Sequence, residues 1–209
     1  MIISISGPQH SGKTTLLNYL KKKNPNWKII TSEEGVIRNL KRRFDISINK
    51  DVCYRSQYLI NSQHIINVIA NENNNTILDR CALDSLIYTY YNWLNLVNAK
   101  SKLSSTTPKS LNLETSIIKE KIKDAKIIFD MTFTLWDKLS SYYDNIFVLD
   151  PKDTGTIKQD GIRNIDKNYQ KTLYESYYHW NQPNIKFING TVKQRLEKIK
   201  QYAPELNID

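Results

Sequence analysis

The chain has 209 residues, 40% of them apolar and 24% charged, which suits one ordinary globular domain with a sizeable core. No apolar run is long enough to span a bilayer, no basic start with a small-residue cleavage site marks a leader, and two cysteines, Cys53 and Cys81, are too few for a disulfide framework. The expectation is a cytoplasmic chain that makes no membrane contact, and its net charge of +9 favours anionic ligands.

The elements follow in chain order. Residues 2–6 (Ile-Ile-Ser-Ile-Ser) read as a short buried strand, and 14–23 as an amphipathic helix that Asn24-Pro25-Asn26 ends. Residues 27–32 read as a second strand, closed by Glu33-Glu34-Gly35, and 36–43 as a short basic helical turn. A long helix is expected over 51–71, because Tyr54, Tyr58, Ile65, Val68 and Ile69 recur at near-helical spacing. Residues 76–79 form a third strand and 83–96 a further helix. Residues 98–112, rich in Ser, Thr and Lys, read as a mobile insertion loop. A helix over 118–139 turns Ile118, Ile122, Ala125, Phe129, Thr132, Trp136 and Leu139 to the core. A strand at 145–149, a polar stretch at 152–166, a helix at 169–180, a strand at 185–188 and a helix at 192–202 complete the chain.

Strands alternating with helices imply a three-layer α/β fold, a five-stranded parallel sheet flanked by helices over a single domain, residues 1–209. Such sheets bind ligands beyond the carboxyl ends of their strands. The first strand runs straight into Gly7-Pro8-Gln9-His10-Ser11-Gly12-Lys13-Thr14-Thr15. Glycine spacing of this kind between strand and helix is the phosphate-binding P-loop. Gly7 and Gly12 let the backbone aim N–H groups at phosphate oxygens, and the helix N-terminus adds partial positive charge. In this pattern Lys13 reaches the β- and γ-phosphates, and the Thr14 hydroxyl holds Mg²⁺. The spacing therefore calls for a nucleoside triphosphate, ATP, with Mg²⁺ as the metal.

Asp79-Arg80 follows the third strand directly. A carboxylate there can hold a water on Mg²⁺ or orient an acceptor, and the arginine can clamp phosphate. Glu34 ends the second strand, with Arg38 beyond it. A hydroxyl acceptor benefits from a positioned carboxylate, whereas a phosphate acceptor is already ionised and needs cations. Glu34 serves the first, Arg38 and Arg80 the second, and the choice stays open. Glu34 also reads as an exposed neighbour of a helix N-cap. Gln57, Gln63, Tyr54 and Tyr58 could read or stack on a base, or simply belong to the helix surface and core.

The stretch Asp79-Arg80-Cys81-Ala82-Leu83-Asp84-Ser85-Leu86-Ile87-Tyr88 resembles the D-R-x-x-x-x-S-x-x-Y segment of thymidylate kinases. It is also similar to the E-R-S segment of deoxynucleoside kinases, and to P-loop nucleotide kinase-like ATPases with D-R-x-x-x-D-S. Gln63-His64 before the third strand strengthens the likeness. Asn61 stands where thymidylate kinases carry an arginine, so the likeness extends to the class and not to thymidylate itself. The resemblance implies a P-loop NTPase fold and an ATP-dependent kinase of a nucleoside or nucleoside monophosphate. It implies substrate contacts from Arg38, Gln63, Arg80 and Ser85, metal support from Asp79 and Thr14, and a general base at Glu34. It places a lid over 152–168, with Arg163 closing on the triphosphate and Lys158 and Lys167 as lesser candidates. Related kinases often form homodimers. Two rival readings accompany this one. The basic clusters at Lys21 to Lys23, 38–43 and 119–126, with the loop near 101–110, would fit a kinase acting on nucleic acid, although lysine runs more often solvate a helix face. A non-catalytic ATP-binding regulatory module is the other.

Overall fold

The computed structural model describes residues 1–31, 54–106, 112–151 and 167–208. Five strands, β1 (Ile2–Ser6), β2 (Lys28–Ile30), β3 (Thr76–Asp79), β4 (Asn145–Leu149) and β5 (Ile185–Ile188), lie in the order β2-β3-β1-β4-β5. Every pairing is parallel. This is the expected three-layer α/β sheet. β1 is central and all five of its residues are buried, as both faces of a parallel sheet must be covered.

The alternation along the strands sorts the two faces. Ile2, Leu78, Ile146 and Val148 point to one side and Ile3, Ile5, Ile77, Phe147 and Leu149 to the other. The second side packs on Leu16, Leu17 and Leu20 of α1 (Lys13–Lys23) and on Leu196 and Ile199 of the last helix. The first side carries α2 (Tyr54–Ile69), α3 (Ala82–Thr106), α4 (Asn112–Leu139) and α5 (Lys167–Ser176), which contribute Val68, Leu83, Leu86, Trp136 and Leu173. The last helix is α6 (Val192–Tyr202), opened by a capping box between Thr191 and Gln194. Of the expected face of α4, Ala125, Thr132, Trp136 and Leu139 are buried and Phe129 packs on the core edge.

One expectation is corrected here. Residues 98–106 are not a loop: α3 runs on to Thr106 and packs along α4. The Ser/Thr/Lys composition does not break the helix, since Ala99, Lys100, Lys102 and Leu103 are good helix formers. Residues 107–111 lie outside the described residues. α2 turns mainly polar side chains inward. Ser56, Gln57, Asn61, His64 and Val68 are buried, whereas Tyr58, Ile65 and Ile69 are exposed. The physical reason lies in its neighbours, because α3 and α4 present Ser85 and Thr132 to it, and buried polar groups need hydrogen-bonding partners.

Candidate active site

The functional geometry starts with β1. Ser4 and Ser6 alternate with isoleucines, so both hydroxyls fall on the α3 side of the sheet, 3.0 Å apart. Beyond Ser6 the chain turns sharply. Gly7 has φ +128°, and a Cβ on it would lie 2.8 Å from the Leu149 carbonyl oxygen, so only glycine fits without distortion. His10 (φ 60°) and Gly12 (φ 86°) continue the turn in left-handed conformation. Gly12 is the N-cap of α1, and no side chain caps that helix. Loop amides and helix end together form an anion-binding concavity.

Lys13 is buried. Its Nζ donates to Gly7 O (2.8 Å), Pro8 O (2.6 Å) and Ser11 Oγ (3.3 Å), all in the loop. The ammonium thus sits in the cradle where phosphate charge belongs. Thr14 and Thr15 are exposed on the first turn of α1. β3 pairs directly with β1, with Asp79 in register with Ile5, which brings the Asp79 carboxylate beside the loop. These residues fit a nucleotide phosphate chain and its Mg²⁺: glycines where a side chain would intrude, an exposed hydroxyl, and a hard oxygen ligand nearby.

Arg80 turns the chain from β3 into α3 with φ 78°, an uncommon conformation for a non-glycine residue. Its guanidinium lies 5.4 Å from the Tyr88 ring centre and donates from Nη1 to Asp84 Oδ1 at 3.2 Å. The Arg80 side chain keeps 20% exposure, whereas that of Asp84 keeps 3%. Arg80 is therefore the member of the pair open to an incoming anion.

Asp84 is the hub of the site, and its role is not evident from the chain alone. Oδ2 accepts from Ser6 Oγ (2.7 Å) and Cys81 N (3.0 Å). Oδ1 accepts from Tyr177 Oη (2.8 Å), Arg80 Nη1 and Gly7 N (3.3 Å). Burial opposes its ionisation. The Arg80 and Lys13 charges, with the Cys81 amide and the Ser6 hydroxyl, outweigh burial and hold the carboxyl below its ordinary range. The same enclosure pushes the Cys81 thiol up to about 12, by burial first and the Asp84 charge second. Cys81 is thus an inert core thiol. The Arg80–Asp84 spacing of four residues at a helix start was the signal available for Asp84.

Beside Arg80 and Asp84, the contacts between α2, α3 and α4 are polar and uncharged. His64 Nε2 lies 3.0 Å from Ser85 Oγ, and Asn61 Nδ2 donates to Thr132 Oγ1 at 3.2 Å. Asn61 Oδ1 and His64 Nδ1 are buried with no hydrogen-bond partner among the described residues. Burial drives His64 down to about 4, with Asp84 pulling it up and Arg80 pushing it further down. The ring is accordingly neutral at pH 7. Gln63 bonds Asn67 Oδ1 at 2.7 Å on the same helix. Ser85 is buried in the site. Lys167 is exposed on the first turn of α5. Glu34, Arg38, Lys158 and Arg163 lie outside the described residues.

Sequence reading also missed Arg195 on α6. Its guanidinium is 3% exposed and donates to Ser11 O, to Asp150 O (2.7 Å) and to Gly190 O (2.7 Å). Nothing in the local pattern around Arg195 marks it.

A glycine-lined phosphate cradle at the end of a central parallel strand, with a buried lysine and an acidic residue on the adjacent strand tip, defines a P-loop nucleotide-binding protein. The chain belongs to the AAA domain family, whose profile matches residues 2–195. Among solved structures, one similar to it is the crystal structure of NadR protein in complex with NR, at 13% identity and a TM-score of 0.48. That alignment covers 99% of this chain and 51% of the other, so the chain spans about half that protein's length. No curated protein matches the sequence. Among the described residues, no helix is long and apolar enough to cross a membrane.

Proposed function

We propose that the chain is an ATP-dependent kinase that phosphorylates a nucleoside or nucleoside monophosphate. One observation carries the reading: Lys13 and Arg80 flank a single buried carboxylate, Asp84, and their charges jointly hold it ionised. One cation belongs to the phosphate loop. The other lies near enough to His64 for its charge to push that ring's titration down, and His64 bonds Ser85. A donor phosphate and an acceptor can meet between them.

In this reading ATP lies on the loop from Gly7 to Thr15, with Gln9, His10, Ser11 and Gly12 supplying backbone contacts. Lys13 leaves its loop carbonyls for the outer phosphates. Thr14 and Asp79 hold Mg²⁺, which when bound neutralises phosphate charge. Arg80 orients the acceptor, and Arg163 closes from the segment before α5. Glu34 takes a proton where the acceptor is a hydroxyl, and Arg38 clamps where it is a phosphate. Catalysis is then positioning and electrostatic stabilisation of a loose transition state. The uncharged contacts between α2, α3 and α4, with His64 neutral, suit the hydrogen-bonding edge of a base or sugar.

The exposed lysines of α4, Lys119, Lys121, Lys123 and Lys126, alternate with Glu120, Asp124 and Asp130, and Lys126 pairs with Asp130 at 2.6 Å. Mixed charge of this kind solvates a helix and makes a poor phosphate track, which favours the small acceptor over nucleic acid. The test is ADP release from ATP in the presence of Mg²⁺, across a panel of nucleosides, nucleoside monophosphates and 5′-hydroxyl oligonucleotides. The expected result is acceptor-dependent ADP with one small-molecule class. Release no faster than an ATP-only blank with every acceptor would sink the kinase reading and leave a non-catalytic ATP-binding module. Turnover with oligonucleotides alone would move the substrate to nucleic acid.

A further inference from the structure

Three successive turns of the sheet's carboxyl edge converge on one side chain. β1, β4 and β5 are neighbours. The carbonyls that follow them, Ser11 O in the phosphate loop, Asp150 O after β4 and Gly190 O after β5, all accept from the Arg195 guanidinium. A guanidinium is the one side chain with enough donors in a rigid plane to hold three acceptors at once. Its charge also strengthens each bond.

We infer that Arg195 is a positioning residue for the triphosphate: by holding the Ser11 carbonyl towards α6, it turns the Gly12 N–H into the phosphate cradle. The inference rests on the nucleotide-binding reading above. Its reason is peptide geometry. In a planar trans peptide the C=O and the following N–H point in opposite directions. Fixing Ser11 O on the α6 side therefore fixes Gly12 N–H on the other side, towards the loop interior.

Lys13 and Arg195 divide the loop carbonyls between them. Lys13 holds Gly7 O and Pro8 O, and Arg195 holds Ser11 O. When Lys13 moves to phosphate it releases its two carbonyls. Arg195 is buried and anchored to two further turns, so it stays. Together with the Asp84 bond to the Gly7 amide, it keeps the loop in its binding shape during that exchange. A lysine at 195 keeps the charge but presents a single nitrogen, which cannot span three carbonyls in one plane.

Two probes test this, Mg²⁺-pyrophosphate and Mg²⁺-ATP. Their dissociation constants are measured calorimetrically for the wild type, Arg195→Met, Arg195→Lys and Leu196→Ala. The last removes core packing on the same helix without touching the loop, and so controls for general destabilisation. The expected result is pyrophosphate affinity weaker by about ten- to a hundredfold in Arg195→Met, the worth of a lost bond to a charged partner. Arg195→Lys should be intermediate and Leu196→Ala close to wild type. In ¹⁵N-labelled protein the Gly12 amide should shift on pyrophosphate addition in the wild type, and much less in Arg195→Lys. Pyrophosphate affinity in Arg195→Lys equal to wild type overturns the inference, and this comparison serves even where Arg195→Met does not fold. Arg195→Met binding as tightly as Leu196→Ala overturns it too. A wild type that binds neither probe removes the nucleotide-binding reading itself, and the inference with it.

Discussion

Tyr177 donates its hydroxyl to Asp84 Oδ1 at 2.8 Å across 93 residues of chain, and Arg80 donates to the same oxygen at 3.2 Å. Tyr177 is fully buried and lies just after α5, at the start of a 3₁₀ turn (Tyr177–Trp180). Burial, and then the Asp84 charge, push its own ionisation well above the ordinary tyrosine range, so it is a fixed donor. One carboxylate thereby ties α5 to β1, to the loop amide of Gly7 and to the turn that presents Arg80.

Removing that carboxylate should be costly. Asp84→Ala takes the shared acceptor from the Tyr177 hydroxyl, the Arg80 guanidinium and the amides of Gly7 and Cys81 in the interior. A loss of about 3 kcal/mol is expected, read from the midpoint of urea unfolding. Tyr177→Phe removes one bond to a charged acceptor and should lose about 1.5 kcal/mol. Asp84→Ala and Tyr177→Phe combined should lose less than the sum of the two, since both act on one oxygen.

Stability should fall as the solution is acidified through the range of histidine titration. His64 titrates near 4 in the folded protein against 6.5 when free. Between those values the unfolded chain binds a proton that the folded chain refuses, so stability is full above pH 6.5 and declines down to pH 4. The shift corresponds to about 3 kcal/mol. In His64→Gln the loss between pH 6.5 and 4 should shrink, as urea midpoints measured across that range will show. An unchanged slope would mean that His64 charges freely in the fold.

Nucleotide binding should hinge on Lys13 and turnover on Asp79. Lys13→Met removes the side chain that caps Gly7 O and Pro8 O, and also the cation for phosphate. Turnover in the acceptor panel should drop by about a hundredfold or more, the scale for one preorganised charge-stabilising group. Asp79→Asn should lower kcat more than it raises the ATP KM. Chelation of Mg²⁺ by excess EDTA should stop turnover in every variant.

Gly7→Ala should damage the loop itself. The new Cβ would fall 2.8 Å from Leu149 O with φ at +128°. Strain of about 1–3 kcal/mol is expected, visible as a lower melting temperature. It should be accompanied by weaker pyrophosphate binding, because the Gly7 amide also bonds Asp84.

Much of this architecture is legible in the chain because it is local. The buried run Ile2–Ser6, the glycine spacing of the loop and the helix start at Lys13 sit within a few residues of one another. The strand–helix alternation follows from short-range periodicity, and with it the placement of Lys13, Thr14, Asp79 and Arg80 on one sheet edge. Helix α2 shows the limit of that local view. Its near-helical spacing announces the helix, but not that Asn61 and His64 turn inward to meet Thr132 and Ser85 from other helices.

What the sequence by itself determined is therefore the parallel α/β sheet and the phosphate loop at its centre, since both arise from residues adjacent in the chain. Only the tertiary structure decided which polar groups complete the site. Asp84 meets Tyr177 across 93 residues, and Arg195 meets Ser11 across 184 and Asp150 across 45. A buried charge is stable only where folding brings it enough donors or acceptors, and those partners come from distant turns that no local pattern announces.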